Sequence, residues 1–210
     1  DCTNVNSVTP DPQLTDKMRG SSYLIGALLG RCGSCSLYFP GGCQLGPRPV
    51  DIHISALRKM GIVISEEHGK INCTAPNGIK GAKIMLEFPS VGATENIILA
   101  AVKAEGETEI KNAAREPEIH DLVSYLVKCG AKIECTSGST IKICGVDRLY
   151  GCEHQVIPDR IAAATYLAAA AITDGAVCIS GISSLDVSSF TGYFEQMGCS
   201  VCTCNDSIYL

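Results

Sequence analysis

Three stretches of the chain, residues 54–61, 122–130 and 190–198, set apolar side chains three and four positions apart and then stop at a glycine. That pattern predicts a short amphipathic helix ended by a left-handed residue. The stopping glycines, Gly61, Gly130 and Gly198, stand 69 and 68 residues apart. Each is followed by alternating apolar and polar positions broken once by a polar turn, over residues 62–73, 131–144 and 199–210, which predicts two strands joined as a hairpin. A second helix is expected ahead of each of these, over 18–29, 94–105 and 159–174, with strands such as 108–111 and 176–180 after its closing glycine. The predicted architecture is α/β, a β-α-β-α-β-β unit used three times. Turn residues at Tyr150-Gly151 and Ile157-Pro158 mark the expected division, with two units in residues 1–156 and one in 157–210.

Composition narrows the class of protein. Of the 210 residues, 46% are hydrophobic and 19% charged, a folded globular balance that argues against disorder. The net charge of −5 gives no basic footprint for a polynucleotide, so an anionic ligand would be met by a few local cations. The alanine-rich run 161–172 is well short of the roughly 18 residues a membrane span needs. The N-terminus has neither a basic start nor a hydrophobic signal region and lacks Met, so we expect a cut from a longer, non-secreted chain. Thirteen cysteines, with Cys32-x-x-Cys35 and Cys199-x-x-Cys202-x-Cys204, invite a zinc reading. The scattered His53, His68, His120 and His154 lack the partner spacing zinc requires, so no metal is expected. Cys73, Cys135, Cys144 and Cys178 fall in strand-like positions and are expected as reduced core residues of a cytoplasmic protein.

The densest chemistry lies in Pro40-Gly41-Gly42-Cys43-Gln44-Leu45-Gly46-Pro47-Arg48-Pro49-Val50-Asp51. Three glycines and three prolines cannot continue a helix or a central strand, so Cys43 is expected on an accessible loop. A guanidinium five residues on favours the thiolate and can hold a carboxylate or phosphate in its fork of donors. Cys43 is then a candidate nucleophile or proton donor beside the anion clamp Arg48. The plain alternatives are an inert loop thiol and a solvated loop charge, with Val50 and Ile52 as ordinary strand residues.

A second candidate is Phe88-Pro89-Ser90-Val91-Gly92-Ala93-Thr94, which closes a strand and opens a helix with small residues. Backbone N–H groups at such a start lack helical partners and suit a diphosphate, although a plain capped connection has the same composition. Glu116 and Glu118 flank Pro117, where carboxylates favour the positive end of a helix; a structural role is the better reading than acid–base chemistry.

The Gly-Gly-Cys loop, Asp51-Ile52-His53-Ile54, Ser90-Val91-Gly92-Ala93-Thr94-Glu95, Asn112-Ala113-Ala114-Arg115-Glu116-Pro117-Glu118-Ile119 and Ile157-Pro158-Asp159-Arg160 together resemble the UDP-N-acetylglucosamine 1-carboxyvinyltransferase family of enolpyruvyl transferases. The resemblance covers most of the chain, in order. It implies the family's inside-out α/β barrel fold, two domains of three units each, of which this chain would be the central part. It also implies transfer of the enolpyruvyl group of phosphoenolpyruvate to the 3′-hydroxyl of UDP-N-acetylglucosamine in peptidoglycan synthesis, with no metal or organic cofactor. The related shikimate-pathway transferase shares the fold but has no such loop cysteine.

Carried over by position, Cys43 matches the family's general acid and fosfomycin target, and Arg48 the arginine facing the phosphates. Pro49, Val50, Asp51 and Ile52 match the nucleotide-lining segment, Arg19 another UDP-sugar contact, and Phe88, Pro89, Ser90, Val91 and Gly92 the turn that carries the UDP-sugar. Arg160 matches an arginine near the cleft between the domains. The family's early Lys-Asn pair and its later aspartate and arginines have no counterpart here, so the isolated chain is expected to be inactive. The other reading is a non-catalytic fragment that folds, self-associates or binds UDP-sugar weakly. The expected partners are the two small substrates, with no nucleic acid and no membrane, and the exposed alanine-rich helix is expected to be covered by the same chain or by another copy.

Overall fold

The computed structural model describes residues 4–38, 50–136, 138–204 and 206–210. The chain divides into two compact units, Asp1–His154 and Gln155–Leu210. The first holds α1 (Pro12–Thr15), a 3-10 turn (Arg19–Tyr23), α2 (Leu24–Cys32), β1 (Ser34–Tyr38), α3 (Asp51–Lys59), β2 (Val63–Glu67), β3 (Lys70–Thr74) and β4 (Lys83–Met85). It continues with α4 (Val91–Ala101), β5 (Glu107–Lys111), α5 (Pro117–Lys128), β6 (Lys132–Thr136) and β7 (Thr140–Cys144). The second holds α6 (Arg160–Ile172), β8 (Cys178–Ser180), α7 (Ser184–Gln196), β9 (Cys202–Cys204) and β10 (Ser207–Tyr209).

Among the described residues three sheets form, ordered β1-β3-β2, β4-β5-β7-β6 and β8-β10-β9, antiparallel except for the parallel β4–β5 pair. The stopping glycines behave as the pattern requires: Gly61, Gly130 and Gly198 follow α3, α5 and α7 with φ of 81°, 99° and 94°, a region closed to most side chains. Helices α3, α4, α5 and α7 start earlier than the apolar period suggests, whereas the helix expected over 18–29 opens as the 3-10 turn and becomes α2 only at Leu24, running through Gly30 to be capped by Gly33. Helix α3 begins at Asp51, so Val50 and Ile52 are helix-start residues and not strand residues. Helix α4 begins at Val91 because the Ser90 hydroxyl accepts from Ala93 N at 3.3 Å, a side-chain cap for an otherwise unpaired donor.

The first unit's core is organised around α4. Ala93, Thr94, Asn96, Ile97, Ile98, Ala100 and Ala101 are all buried, as expected for a helix that is apolar nearly all round. Helix α2 lies directly against it. A Cβ on Gly26 would sit 2.4 Å from the Asn96 carbonyl oxygen, and one on Gly30 would sit 2.7 Å from that of Leu99. Only glycine lets the two backbones approach this closely.

The cysteines are split. Cys73 is buried on β3 directly opposite buried Cys35 on β1, and burial pushes these thiols up to about 11 and about 12. Cys135, Cys144 and Cys178 are exposed, which corrects their expected core placement. Cys144 and Cys178 are out of phase with the inward-facing Ile143 and Ile179, and Cys135 lies on the edge strand β6.

In the second unit Leu167, Val187 and Ile208 are fully buried, joined by Ala163, Ile182 and Phe194. Helix α6 turns Ala163, Leu167 and Ala170 inward, while Ile161, Tyr166 and Ile172 stay exposed. Among the described residues no helix is long and apolar enough to cross a membrane.

The α2–α4 approach yields a stability test. Gly26→Ala is expected to lower the unfolding free energy by about 1–3 kcal/mol, the usual cost of overpacking. Gly20→Ala, whose Cβ would have no neighbour nearer than 3.9 Å, should stay within about 0.5 kcal/mol of the parent. Urea unfolding of the three proteins compares them, and an unchanged midpoint for Gly26→Ala would contradict the close crossing.

Candidate functional site

A polar side chain stands in the middle of the most apolar helix. Asn96 is fully buried, on the α4 face that also carries Ala93, Ile97 and Ala100, and all its hydrogen-bonding groups are engaged. Its Oδ1 accepts from Gly26 N at 2.7 Å, and its Nδ2 donates to Ser22 O at 3.1 Å and to His53 Nδ1 at 2.8 Å. One residue thus ties the end of the 3-10 turn, the start of α2 and the first turn of α3 to α4. Unmade bonds in such a place would be costly, so the network fixes one arrangement.

The network also sets the chemistry of His53. A ring nitrogen that accepts from an amide N–H carries no proton, so Nδ1 is bare and the hydrogen resides on Nε2. Burial first, and then the positive charge of Arg19, lower the His53 pKa from 6.5 to about 4, against a smaller opposing pull from Asp51. The ring is therefore neutral near pH 7. It lies against Gly92 in the first turn of α4, where an added Cβ would be 3.1 Å from His53 Cε1, 3.4 Å from Nε2 and 3.5 Å from Tyr23 Cε1.

Beside it, the Tyr23 hydroxyl donates to Glu95. Burial, followed by the Glu95 charge, pushes Tyr23 up to about 12. Burial raises the Glu95 carboxyl, Glu118 and Glu116 add to that, and the Tyr23 hydrogen bond opposes it. Glu95 Oε2 is buried without a hydrogen-bond partner among the described residues. Thr94 completes the frame: its hydroxyl donates to Ser90 O at 2.8 Å and accepts from Ala114 N at 3.1 Å.

The start of α4 is thus flanked by a neutral imidazole with an Nε2 hydrogen, by Arg19 and by the Tyr23 ring. Ser90 caps Ala93 N, while the N–H groups of Val91 and Gly92 belong to the set no helical carbonyl can reach. Helix end and cation together favour an anion with several acceptor oxygens. Asp51 and Ile52 open α3 and line a cavity of about 160 Å³ between that helix and the strand β4, with Ser55, Lys59 and Met85. Pro89 borders a separate hollow with Asn112, Arg115 and Glu116, and Phe88 is 64% exposed.

The Arg19 charge acts on His53 and Tyr23, both of which lie against Gly92, while Val50, Asp51 and Ile52 stand at the start of the neighbouring helix and Ser90 serves as a cap. Cys43, Arg48 and Pro49 lie outside the described residues. Arg160 opens α6 in the second unit, after the capping Asp159. Three participants were not expected: His53, Tyr23 and Glu95. A signal existed for the first. Val50, His53, Ile54 and Leu57 are spaced as one helix face, which makes the histidine a polar residue at a core position. Among the described residues no group of three or more His, Cys, Asp or Glu side chains could hold a metal ion.

Residues 2–209 match the family model described as EPSP synthase (3-phosphoshikimate 1-carboxyvinyltransferase). The chain is 48% identical over 202 residues to UDP-N-acetylglucosamine 1-carboxyvinyltransferase of Finegoldia magna, covering 96% of this chain and 48% of that relative. It is 50% identical over 185 residues to the protein of the same name from Endomicrobium trichonymphae, covering 88% of this chain and 44% of that one. The chain spans about half the length of the curated relatives it matches. Among solved structures, the enolpyruvyl transferase NikO from Streptomyces tendae superposes with a TM-score of 0.81 at 21% identity, over 100% of this chain and 50% of that one. EPSP synthase from Acinetobacter baumannii gives 0.61 at 23% identity, over 90% and 46%. These two share the fold.

The buried network predicts a depressed titration. NMR of the His53 ring is expected to show a midpoint near pH 4, and a midpoint near 6.5 would contradict the burial of the ring beside Arg19. The folded state holds this proton less tightly than the unfolded chain. Its contribution to stability is thus lost as pH falls from 6.5 toward about 4, by at most about 1.4 kcal/mol per pH unit.

Proposed function

Because the chain belongs to the EPSP synthase family of enolpyruvyl transferases, we propose that it is the central part of an enzyme that moves the enolpyruvyl group of phosphoenolpyruvate to the 3′-hydroxyl of UDP-N-acetylglucosamine, releasing phosphate. The observation that carries this reading is the 44–50% identity to relatives named for that reaction, over 88% or more of this chain. The gathering of Arg19, the His53 Nε2 hydrogen and the α4 N-terminus supports it independently, since a nucleotide diphosphate offers the acceptor oxygens these groups would meet.

In this mechanism the first turn of α4 and Arg19 hold the diphosphate, His53 donates one hydrogen bond without adding charge, and Asp51 and Ile52 border the nucleoside. Val50 positions α3, its carbonyl accepting from Ile54 N at 2.9 Å. Pro89 and Phe88 lead the chain into the binding turn, and Arg48 and Pro49 extend the nucleotide wall. Cys43 delivers a proton to the methylene carbon of phosphoenolpyruvate as the sugar hydroxyl, giving its proton to a group outside this chain, attacks the adjacent carbon. Loss of a proton from the new methyl group then expels phosphate and restores the double bond. Groups outside this chain complete the cleft. The same thiol is the site where fosfomycin would attach, and the enzyme would work in the cytoplasm at the start of peptidoglycan synthesis.

The succession helix, strand, helix, strand, strand supports reading the chain as three copies of one unit of an inside-out barrel. It runs α2-β1-α3-β2-β3, α4-β5-α5-β6-β7 and α6-β8-α7-β9-β10, with a leading strand, β4, described before α4 alone. A second reading is favoured by the open faces of α6 and α7, where Ile172 is 86% and Leu185 82% exposed: the isolated chain self-associates through its second unit and binds UDP-sugar without turnover. Sedimentation of the isolated chain separates the two readings. A concentration-dependent dimer supports association, and a monomer at all concentrations rules it out.

Phosphate release tests the main proposal. The longest natural protein containing this chain should turn over phosphoenolpyruvate with UDP-N-acetylglucosamine, and Cys43→Ser should lower kcat by about 100-fold or more, the usual worth of a positioned general acid. The isolated 210 residues should release none. Turnover by the isolated chain, or an unimpaired Cys43→Ser enzyme, would refute the assignment. Peptide mapping after fosfomycin treatment of the longer protein should find the adduct on Cys43, and an adduct spread over several thiols would remove Cys43 from the site.

A further inference from the structure

Away from the nucleotide wall, two thiols meet at the end of the first unit. Cys129 caps the C-terminus of α5, and the Sγ of Cys152 lies 3.4 Å from its own. Cys152 belongs to a segment that returns along α5 to His154, the last residue of the unit. That segment is fastened at several points. Tyr150 N donates to Cys129 O at 2.8 Å, and the Cys152 thiol reaches Tyr125 O at 3.9 Å. His154 Nε2 lies 2.9 Å from Asp121 Oδ1, with only 9% and 16% of the two side chains exposed. Lys128 Nζ is 3.4 Å from His154 Nδ1, and the Tyr125 ring meets the His154 ring edge-on at 5.5 Å.

Two other thiol groupings among the described residues do not share this geometry. Cys35 and Cys73 face each other across β1 and β3 but are buried in the core, with thiols pushed up to about 12 and about 11. Cys178 and Cys202 sit on the two outer strands of their sheet, each paired with Tyr209 of the middle strand. That separation of about 9–10 Å is beyond the reach of a disulfide. Among the described residues, Cys129 and Cys152 combine contact between sulfurs with partial access to solvent, since Cys152 is partly exposed.

We propose that Cys129 and Cys152 are a redox modification site, closing to an intramolecular disulfide under hydrogen peroxide and fixing the 150–154 segment to α5. In the first step the Cys152 sulfur attacks one peroxide oxygen, the O–O bond breaks, and the departing hydroxide leaves as water with the thiol proton, giving a sulfenic acid. In the second the Cys129 sulfur attacks the Cys152 sulfur, the S–O bond breaks, and the hydroxide leaves as water with the Cys129 proton. Two thiols and one peroxide become one disulfide and two waters. The sulfurs need only close from contact to a bond of about 2.05 Å, a side-chain adjustment on a segment already pinned on both sides. This site stands on residues distinct from those of the proposed reaction and does not depend on it.

The test treats the folded chain with hydrogen peroxide, alkylates remaining thiols in denaturant without reductant, and maps the peptides by mass. The expected product is the Cys129 peptide joined to the Cys152 peptide, two hydrogens lighter than the pair of free thiols and separated by dithiothreitol. It should be absent from Cys129→Ser and Cys152→Ser. Amide exchange over residues 150–154 should slow by about tenfold or more on oxidation as local opening is suppressed. Recovery of Cys129 in alkylated form, with Cys152 alkylated, overoxidised or joined to another cysteine, would overturn the proposal. That result is read from the parent protein and does not require either variant to fold.

Discussion

The contact of α2 with α4 at Gly26 and Asn96 is the constraint on which the described site depends. Glycine at position 26 lets the Asn96 carbonyl and side chain come against the α2 backbone, and Asn96 then bonds to Gly26, Ser22 and His53. A larger residue at 26 would move α2 off α4 and pull these bonds apart. The 3-10 turn carrying Arg19 and Tyr23 leads directly into α2, so its position follows from the same contact. A packing requirement in the core is thereby transmitted to the residues around the start of α4.

The same arrangement decides charge. Burial of the ring and the Arg19 charge keep His53 neutral while the bond from Asn96 fixes its tautomer, so the positive character at this place comes from Arg19 and the helix end. An imidazole that donates without titrating near pH 7 gives direction to a hydrogen bond and leaves the local charge constant. Glu95 is balanced the other way: burial and two neighbouring carboxylates raise it, while the Tyr23 hydroxyl steadies its charged form. The wall of the proposed nucleotide site is thus polar, shaped and weakly charged, in keeping with a chain whose net charge is −5.

Much of the fold was legible because it follows from periodicity. The helices before Gly61, Gly130 and Gly198, and the hairpins after them, are encoded in local alternation and in glycines that supply positive φ. The helix start at Val91 was expected three residues later, at Thr94, because the apolar period does not register the Ser90 cap. The harder features depend on contacts remote in sequence. Gly26 and Asn96 are 70 residues apart, and nothing local marks either as one half of a close crossing. Cys144 and Cys178 were misplaced because a strand pattern gives alternation without saying which phase faces inward, and the neighbouring isoleucines took the core positions. His53 was a visible exception on an apolar helix face. Its role emerged only when Asn96 was found opposite Nδ1.

The central claim is that the start of α4, held by the Asn96 network, is the nucleotide-binding wall. Amide chemical-shift mapping of the chain during titration with UDP-N-acetylglucosamine tests it most directly. The account predicts saturable shifts concentrated at Arg19, Asp51, Ile52, Val91 and Gly92, with the His53 side chain among them. Shifts gathered instead around Lys103 and residues 147–149, or an unchanged spectrum of Val91 and Gly92 while the sugar nucleotide binds elsewhere, would contradict it.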